Sequence, residues 1–236
     1  MLFDLISVIS EEGSIANQPP PTPDRMQSAA ITIRGASSVT SFVTSGNVTA
    51  SNVFPIPNQI AASDGLGIGA AHWVLNNTSG ETVGVSSSGM ILASPSTSSV
   101  SGGDGMRLGV AYESVNAGGS LAGDIIRQND TSSITEQVGR TLSFFAYGGV
   151  FVDSSGHQTS ERQNTRQLTL PTSQVGDIIV IVSLTRGRSP VIDGFGLEYF
   201  NSFNISSGTD QFISVHTKTA AAGDSGRVVV IDNISN

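Results

Sequence analysis

The side chains that could perform chemistry are few and scattered along this sequence. The three histidines, His72, His157 and His216, lie far apart, and none has the spacing with which zinc proteases bind their metal. The chain has no cysteine, which excludes thiol nucleophiles, thiolate metal ligands and disulfides. It also lacks a G-x-S-x-G nucleophile elbow and a Walker phosphate-binding loop. We therefore predict no catalytic residue, no cofactor, no metal site and no enzymatic activity.

Aspartates at predicted turns raise the question of calcium, because hard cations bind clustered carboxylates and carbonyls. No D-x-D-x-D-G run occurs, however. Asp-Gly and Gly-Asp pairs at turns need only the local hydrogen bonds and the backbone freedom of these residues. The turn interpretation is favoured, and calcium at one of these turns stays open, for Asp64, Asp104, Asp124, Asp177, Asp193, Asp210 and Asp224.

Aromatic side chains offer a second kind of site. β-sandwich binding modules stack sugars on exposed rings, and the densest aromatic patch consists of Tyr199, Phe200 and Phe203. These residues are the candidate glycan-binding site. Aromatic rings also fill sandwich cores, because each ring carries a large area that can be buried. Both interpretations are kept.

The elements that must position these residues are predicted to be strands. Charged residues make up only 13% of the chain, and 27 glycines accompany many Ser, Thr and Asn residues. This composition is typical of short strands joined by tight turns. The formal net charge of -8 argues against a nucleic acid partner, and no segment is long and apolar enough for membrane insertion.

The hydrophobic pattern has the period of strands. Residues 30–34 and 106–112 alternate between apolar and polar, and residues 177–182 form a continuous apolar run, as in a strand that is covered on both faces. Residues 65–69 are read as a glycine-rich strand, since no helical pattern follows them. Turn signals separate the runs at residues 76–80, 101–105, 153–156 and 206–208. The density of turns indicates a β-sandwich or jelly roll.

Two halves of the chain repeat one another. The matching segments, in order, are Ile56-Pro57 with Leu170-Pro171, residues 63–68 with 176–181, and residues 110–118 with 215–223. The fold class is therefore predicted as all-β, with two tandem jelly-roll-like β-sandwich domains at residues 29–138 and 139–236. A competing interpretation merges both copies into one large double sandwich.

Residues 1–28 are predicted to form an extended N-terminal arm, because residues 17–23 are rich in proline. The tip of the arm is apolar, and its candidate assembly contacts are Leu2, Phe3, Leu5, Ile6, Val8 and Ile9. The alternative is that this tip packs onto the first domain of its own chain.

The second repeat resembles a jelly-roll module of tailed-phage virion structural proteins. The resemblance rests on Leu170-Pro171, the apolar run after Gly176, Gly194-Phe195, and residues 215–226. It departs from the module's pattern where Phe195 and Met90 replace a tryptophan, and where residues 113–115 replace a lysine-containing segment, so no functional residue is carried over.

This resemblance implies a non-enzymatic bacteriophage virion structural protein, such as a tail fibre, baseplate or capsid decoration component. Its expected location is the virion. The implied partners are other virion structural proteins and further copies of itself, with a trimer expected by analogy. The alternative is a carbohydrate-binding adhesin that recognises host surface glycans.

Overall fold

The computed structural model describes residues 26–45, 48–49, 51–75, 82–86, 89–94, 105–128, 138–157, 165–186, 189–204 and 210–232. Within these ranges the fold is all-β, as the sequence predicts, with seventeen strands. They are β1 (Met26–Arg34), β2 (Ser38–Thr44), β3 (Val48–Thr49), β4 (Val53–Ile60), β5 (Gly65–Leu75), β6 (Thr82–Val85), β7 (Ile91–Ser94), β8 (Gly105–Val115), β9 (Ser120–Gln128), β10 (Val138–Tyr147), β11 (Val150–His157), β12 (Thr165–Thr169), β13 (Ile178–Arg186), β14 (Val191–Ile192), β15 (Gly196–Asn204), β16 (Asp210–Thr219) and β17 (Val228–Asp232).

The described strands form four antiparallel sheets. Sheet A has the order β11-β1-β13-β16-β15, and sheet B has the order β2-β10-β5-β8-β7, with β3 beside β10. Sheet C is β4-β9-β6 and sheet D is β12-β17-β14. Sheets B and C enclose one core, sheets A and D enclose a second, and sheets A and B pack on each other through a third. The layers are therefore stacked in the order D, A, B, C.

Period-two alternation in the central strands explains how one sheet can contribute to two cores. Along β5, Ile68 points toward sheet A, whereas Trp73 points toward sheet C and stacks on Phe54. Along β13, Val180 points toward sheet B and Ile181 toward sheet D. Strands covered on both faces must be apolar on both faces, which accounts for the continuous apolar run in β13.

The glycine-rich sequence at residues 65–69 lies in β5, as predicted. A side chain has no room at any of its three glycines. A Cβ atom on Gly67 would lie 2.8 Å from a methyl group of Leu121, and one on Gly69 would lie 2.9 Å from Ile56 and from Met90. Glycine therefore lets the side chains opposite it in the sandwich pack directly on the backbone of β5.

The two sandwiches have the same strand order, with one strand supplied differently. Strands β2, β5, β8 and β7 of sheet B correspond in the repeat to β11, β13, β16 and β15 of sheet A. Sheets C and D correspond strand by strand. In sheet B the place beside β5 is taken by β10, which follows β9 along the chain. In sheet A the equivalent place beside β13 is taken by β1. Each sandwich is jelly-roll-like in order.

The domain and arm boundaries that the sequence predicts do not coincide with the boundaries of the sheets. The sheets do not divide at residue 138, because β10 begins there and pairs with β5 and β2. The large core between sheets A and B is the feature that the merged interpretation describes. Folding of the two halves as separate domains stays a prediction. Residues 26–28, assigned to the arm, lie buried in β1 instead, because Met26 and Ser28 pair with β13.

One predicted turn is wrong. Residues 153–156 belong to β11 and pair with β1, for example Ser154 with Ile31. The carboxylate of Asp153 accepts hydrogen bonds from the backbone N–H groups of Ser154 and Thr172, both at 2.8 Å, so this acid is satisfied inside a strand. The turn signals at residues 76–80, 101–104 and 206–208 lie outside the described residues, as do the arm residues Leu2, Phe3, Leu5, Ile6, Val8 and Ile9.

Two glycines mark the place where the chain crosses between sheets. The connection after β1 leads from sheet A to sheet B, and the connection after β10 leads from sheet B to sheet A. Gly35 and Gly148, which correspond in the repeat, have φ angles of 74° and 73°. A Cβ atom on either one would lie 3.3 Å from the carbonyl oxygen of the other. The two connections therefore pass back to back.

Candidate functional site

Aromatic and polar side chains meet where sheets A and B join along β2, β10 and β15. Alternate residues of β15 point toward sheet B because side chains in a strand alternate between faces. A register shift between Leu197 and Tyr199 sets which residues those are. We call this group the seam cluster; it consists of Phe42, Thr44, His72, Arg140, Tyr199, Asn201 and Phe203.

One half of the seam cluster is an aromatic stack with a hydrogen-bonded rim. The rings of Phe42 and Tyr199 lie 5.1 Å apart and nearly parallel. The Tyr199 hydroxyl donates to Thr44 Oγ1 at 3.4 Å. The Asn201 amide donates to the Tyr199 hydroxyl at 3.1 Å. These contacts tie β15 of sheet A to β2 of sheet B.

The other half is built around Arg140. Its guanidinium donates to Asn201 Oδ1 at 3.0 Å and lies 4.9 Å from the centre of the Phe203 ring, a cation–π geometry. The His72 ring stacks on Phe203 at 4.5 Å. Partial burial lowers the pKa of Arg140 from its ordinary value.

His72 is held neutral in this cluster. Complete burial lowers its pKa to about 3, and the positive charge of Arg140 adds to the effect. Both ring nitrogens are buried without a hydrogen-bond partner among the described residues. The same holds for both amide atoms of Gln211, which pairs with Phe203 across β15 and β16. The seam cluster therefore joins two sheets, and its histidine is uncharged near neutral pH.

The candidate glycan-binding residues do not form one surface. Phe203 is only 4% exposed, and Tyr199 is half-buried on the same face. Phe200 points to the opposite face of sheet A, where it is 42% exposed and stacks on Phe212 at 5.3 Å. The period-two alternation of strand residues is the sequence signal that separates Phe200 from Tyr199 and Phe203. The residue that Phe200 stacks on, the partly buried Phe212, was not among the candidates.

Several acidic side chains lie at tight turns, where they accept hydrogen bonds from backbone N–H groups and from neighbouring Arg or Lys side chains. Asp177 accepts two hydrogen bonds from Arg34, from Nε and Nη2, both at 3.1 Å. It also accepts the backbone N–H of Gln174 at 2.8 Å. The Arg34 hydrogen bond is the largest cause that lowers the pKa of Asp177. This ion pair joins the end of β1 to the turn before β13.

Two more acids at turns, Asp224 and Asp64, behave similarly. Asp224 binds the Lys218 ammonium and the backbone N–H of Ala221, both at 2.8 Å, and these contacts lower its pKa. Asp64 accepts the backbone N–H of Ala117 at 2.7 Å. Asp124 and Asp210, both predicted at turns, lie in β9 and β16 instead, because they pair with neighbouring strands. The Asp124 carboxylate accepts the Ser86 hydroxyl at 2.8 Å. No group of three or more His, Cys, Asp or Glu residues suited to a metal ion occurs in the part of the chain that the structure describes.

One Ser–His pair was not singled out from the sequence. Ser214 Oγ lies 3.1 Å from His216 Nε2, both in β16, and Ser28 and Ser183 form a second contact at 2.9 Å on the same face of sheet A. Burial lowers the pKa of His216 to about 4. Because Ser214 has no exposed surface, a substrate does not reach its hydroxyl. The pair satisfies polar groups inside the A/D sandwich.

Comparison with known proteins gave no match to any family model, to any curated protein or to any solved structure. Among the described residues, no helix has the length and apolarity that a membrane crossing requires.

Proposed function

We propose that this chain is a non-enzymatic structural component of a bacteriophage virion, as a tail fibre, baseplate or capsid decoration protein. In this proposal it docks on other virion proteins through its N-terminal arm and works as a homo-oligomer. The observation that carries the proposal is the stacking of four sheets around three cores. Such a stack resists deformation, because interiors packed at crystal density transmit strain.

The placement of β1 supports the role of the arm. Residues 1–25 precede a strand that lies in the middle of sheet A, between β11 and β13. A force on the arm is therefore passed to the hydrogen bonds on both sides of β1, and the Arg34–Asp177 ion pair holds the far end of the same strand. An anchor attached in this way transmits force to sheet A, which is one of the two inner layers of the stack.

The experiment is a pair of truncations. Removing residues 1–25 leaves β1 intact, so the truncated chain should fold, with wild-type circular dichroism and melting behaviour. It should fail to enter particles in a complementation assay. Removing residues 1–34 also deletes β1, and this chain should not fold. Wild-type incorporation of the 1–25 deletion would refute docking through the arm.

A matched substitution separates the apolar tip from the length of the arm. Leu5→Asp with Ile6→Asp places two charges on the tip, and Ser7→Asp with Ser10→Asp places two charges on its polar positions. Only the first pair should abolish incorporation. Equal loss from both pairs would refute an apolar contact.

An adhesin that recognises host surface glycans is the second candidate, and the exposed ring of Phe200, stacked on the partly buried Phe212, favours it. Sugars stack on exposed aromatic faces, and the Phe200 ring offers such a face on sheet A. Phe200→Ala should then abolish binding on a panel of bacterial polysaccharides without loss of folding. Tyr199→Phe, which removes only the seam hydroxyl, is the control and should bind normally. Wild-type chain that binds no glycan would refute this candidate.

A further inference from the structure

The A/D sandwich takes one described strand from a distant part of the chain. Its other described strands lie in a continuous run from residue 150 to residue 232. β1 comes from residues 26–34 and fills a slot between β11 and β13, where all its side chains except that of Arg34 are buried. Without β1, the edge strand β11 would lose its only partner in sheet A, and the inner strand β13 would lose one of its two partners.

In the B/C sandwich, the equivalent place is filled by a strand that is close in the sequence to the others. There β10 follows β9 along the chain, and residues 129–137 make the connection. No peptide bond makes the corresponding connection from β17 to β1. At its C-terminal end, β1 is covalently connected to β2 through residues 35–37 alone. The slot is thus built by one end of the chain and filled by the other.

The connection at residues 35–37 has the properties of a short hinge, because only three residues join β1 to β2. Gly35 has a φ of 74°, which glycine adopts freely, whereas an added Cβ atom would lie 3.3 Å from the Gly148 carbonyl oxygen. If Gly35 adopted an extended conformation, the chain would no longer reverse its direction between β1 and β2. Short hinges favour exchange of the element they carry, because they limit how that element folds back, while the exchanged form makes the same contacts with an extended hinge.

We propose that β1 is exchanged between copies of this chain, so that β1 of one copy fills the slot between β11 and β13 of a second copy. Every contact of the closed form is regained across the two copies, including the Arg34–Asp177 ion pair. The partner is therefore a second copy of this chain, and the binding site is the slot itself. This inference does not depend on a role in a virion, and exchange is tested with the purified chain.

The test uses the absence of native cysteine. Ala30 and Ser155 are directly opposed on β1 and β11, at the separation that a disulfide requires. The A30C/S155C chain is unfolded, refolded at increasing protein concentration and oxidised. We expect disulfide-linked dimers on non-reducing gels, in a fraction that rises with concentration. The control pair, G196C/T217C, links β15 to β16 within the continuous run and should stay intramolecular.

Hinge variants provide a second measurement that needs no disulfide. Gly35→Ala disfavours the left-handed hinge of the closed form and should raise the ratio of dimer to monomer about tenfold, measured by light scattering after chromatography. Gly118→Ala places the same strain in a turn with no atom within 4 Å and should leave the ratio unchanged. The proposal is overturned if A30C/S155C cross-links only within chains at every concentration, or if Gly35→Ala and Gly118→Ala are equally monomeric.

Discussion

Replacing Ile31 by alanine is expected to destabilise both sandwiches, although Ile31 belongs to only one of them. Ile31 lies in β1, has no exposed surface and points into the core between sheets A and B. Its neighbours in that core come from both sheets, among them Ile68 and Phe144 of sheet B. Regular strands on both sides limit collapse of the cavity, so we expect a loss of about 3–5 kcal/mol in the free energy of unfolding.

The single tryptophan makes this coupling measurable. Trp73 lies in the core between sheets B and C and stacks on Phe54 at 4.7 Å, so its fluorescence reports on the B/C sandwich. If sheets A and B unfold together, Ile31→Ala should lower the urea midpoint seen by Trp73 by about 1–2 M. Circular dichroism should give the same midpoint.

An unchanged Trp73 transition, with circular dichroism separating into two steps, would refute cooperative unfolding of the stack. The matched control is Ile60→Ala. Ile60 is 73% exposed, so the same chemical change should alter the free energy of unfolding by less than about 0.5 kcal/mol.

Three further predictions concern single side chains. Burial lowers the pKa of His72 to about 3, so the free energy of unfolding should fall as the pH drops below 6.5, the ordinary histidine value. Between about pH 7 and pH 4, His72 should account for roughly 3 kcal/mol of this decrease. The His72→Phe variant should lack that part of the decrease in urea unfolding. Asp177→Asn should lower the melting temperature at neutral pH, and this difference should shrink as the pH falls through the lowered pKa of Asp177, because protonation breaks the wild-type ion pair; an equal difference at all pH values would contradict this. Gly139→Ala should cost about 1–3 kcal/mol in chemical unfolding, because its Cβ atom would lie 2.6 Å from the His72 carbonyl and against Phe54, whereas the open position Gly196 should tolerate alanine.

The local features of this fold could be predicted from sequence because short-range chemistry decides them. The continuous apolar run of β13 and the glycine-rich β5 follow from period and side-chain volume. Asp177 and Asp224 sit at turns, where their carboxylates accept backbone N–H groups within a few residues. Each of these features depends on near neighbours in the chain.

The features that the sequence did not predict depend on distant partners. The alternation in residues 30–34 predicts a strand, but nothing near β1 shows that this strand joins sheet A and not the first sandwich, because its partners lie more than a hundred residues later. Residues 153–156 have the composition of a turn, and they form part of β11 because they pair with β1. The seam cluster likewise needs Arg140 and Phe203 to meet across two sheets, which a linear pattern does not show.

Hydrogen exchange along β1 tests the central claim most directly, since the stack and the strand exchange both require β1 to be a central strand of sheet A. The backbone amides of Met26–Arg34 should exchange as slowly as those of Ile178–Arg186, because both strands are paired on both sides. Rapid exchange across Met26–Arg34, with protection retained in Ile178–Arg186, would contradict the account.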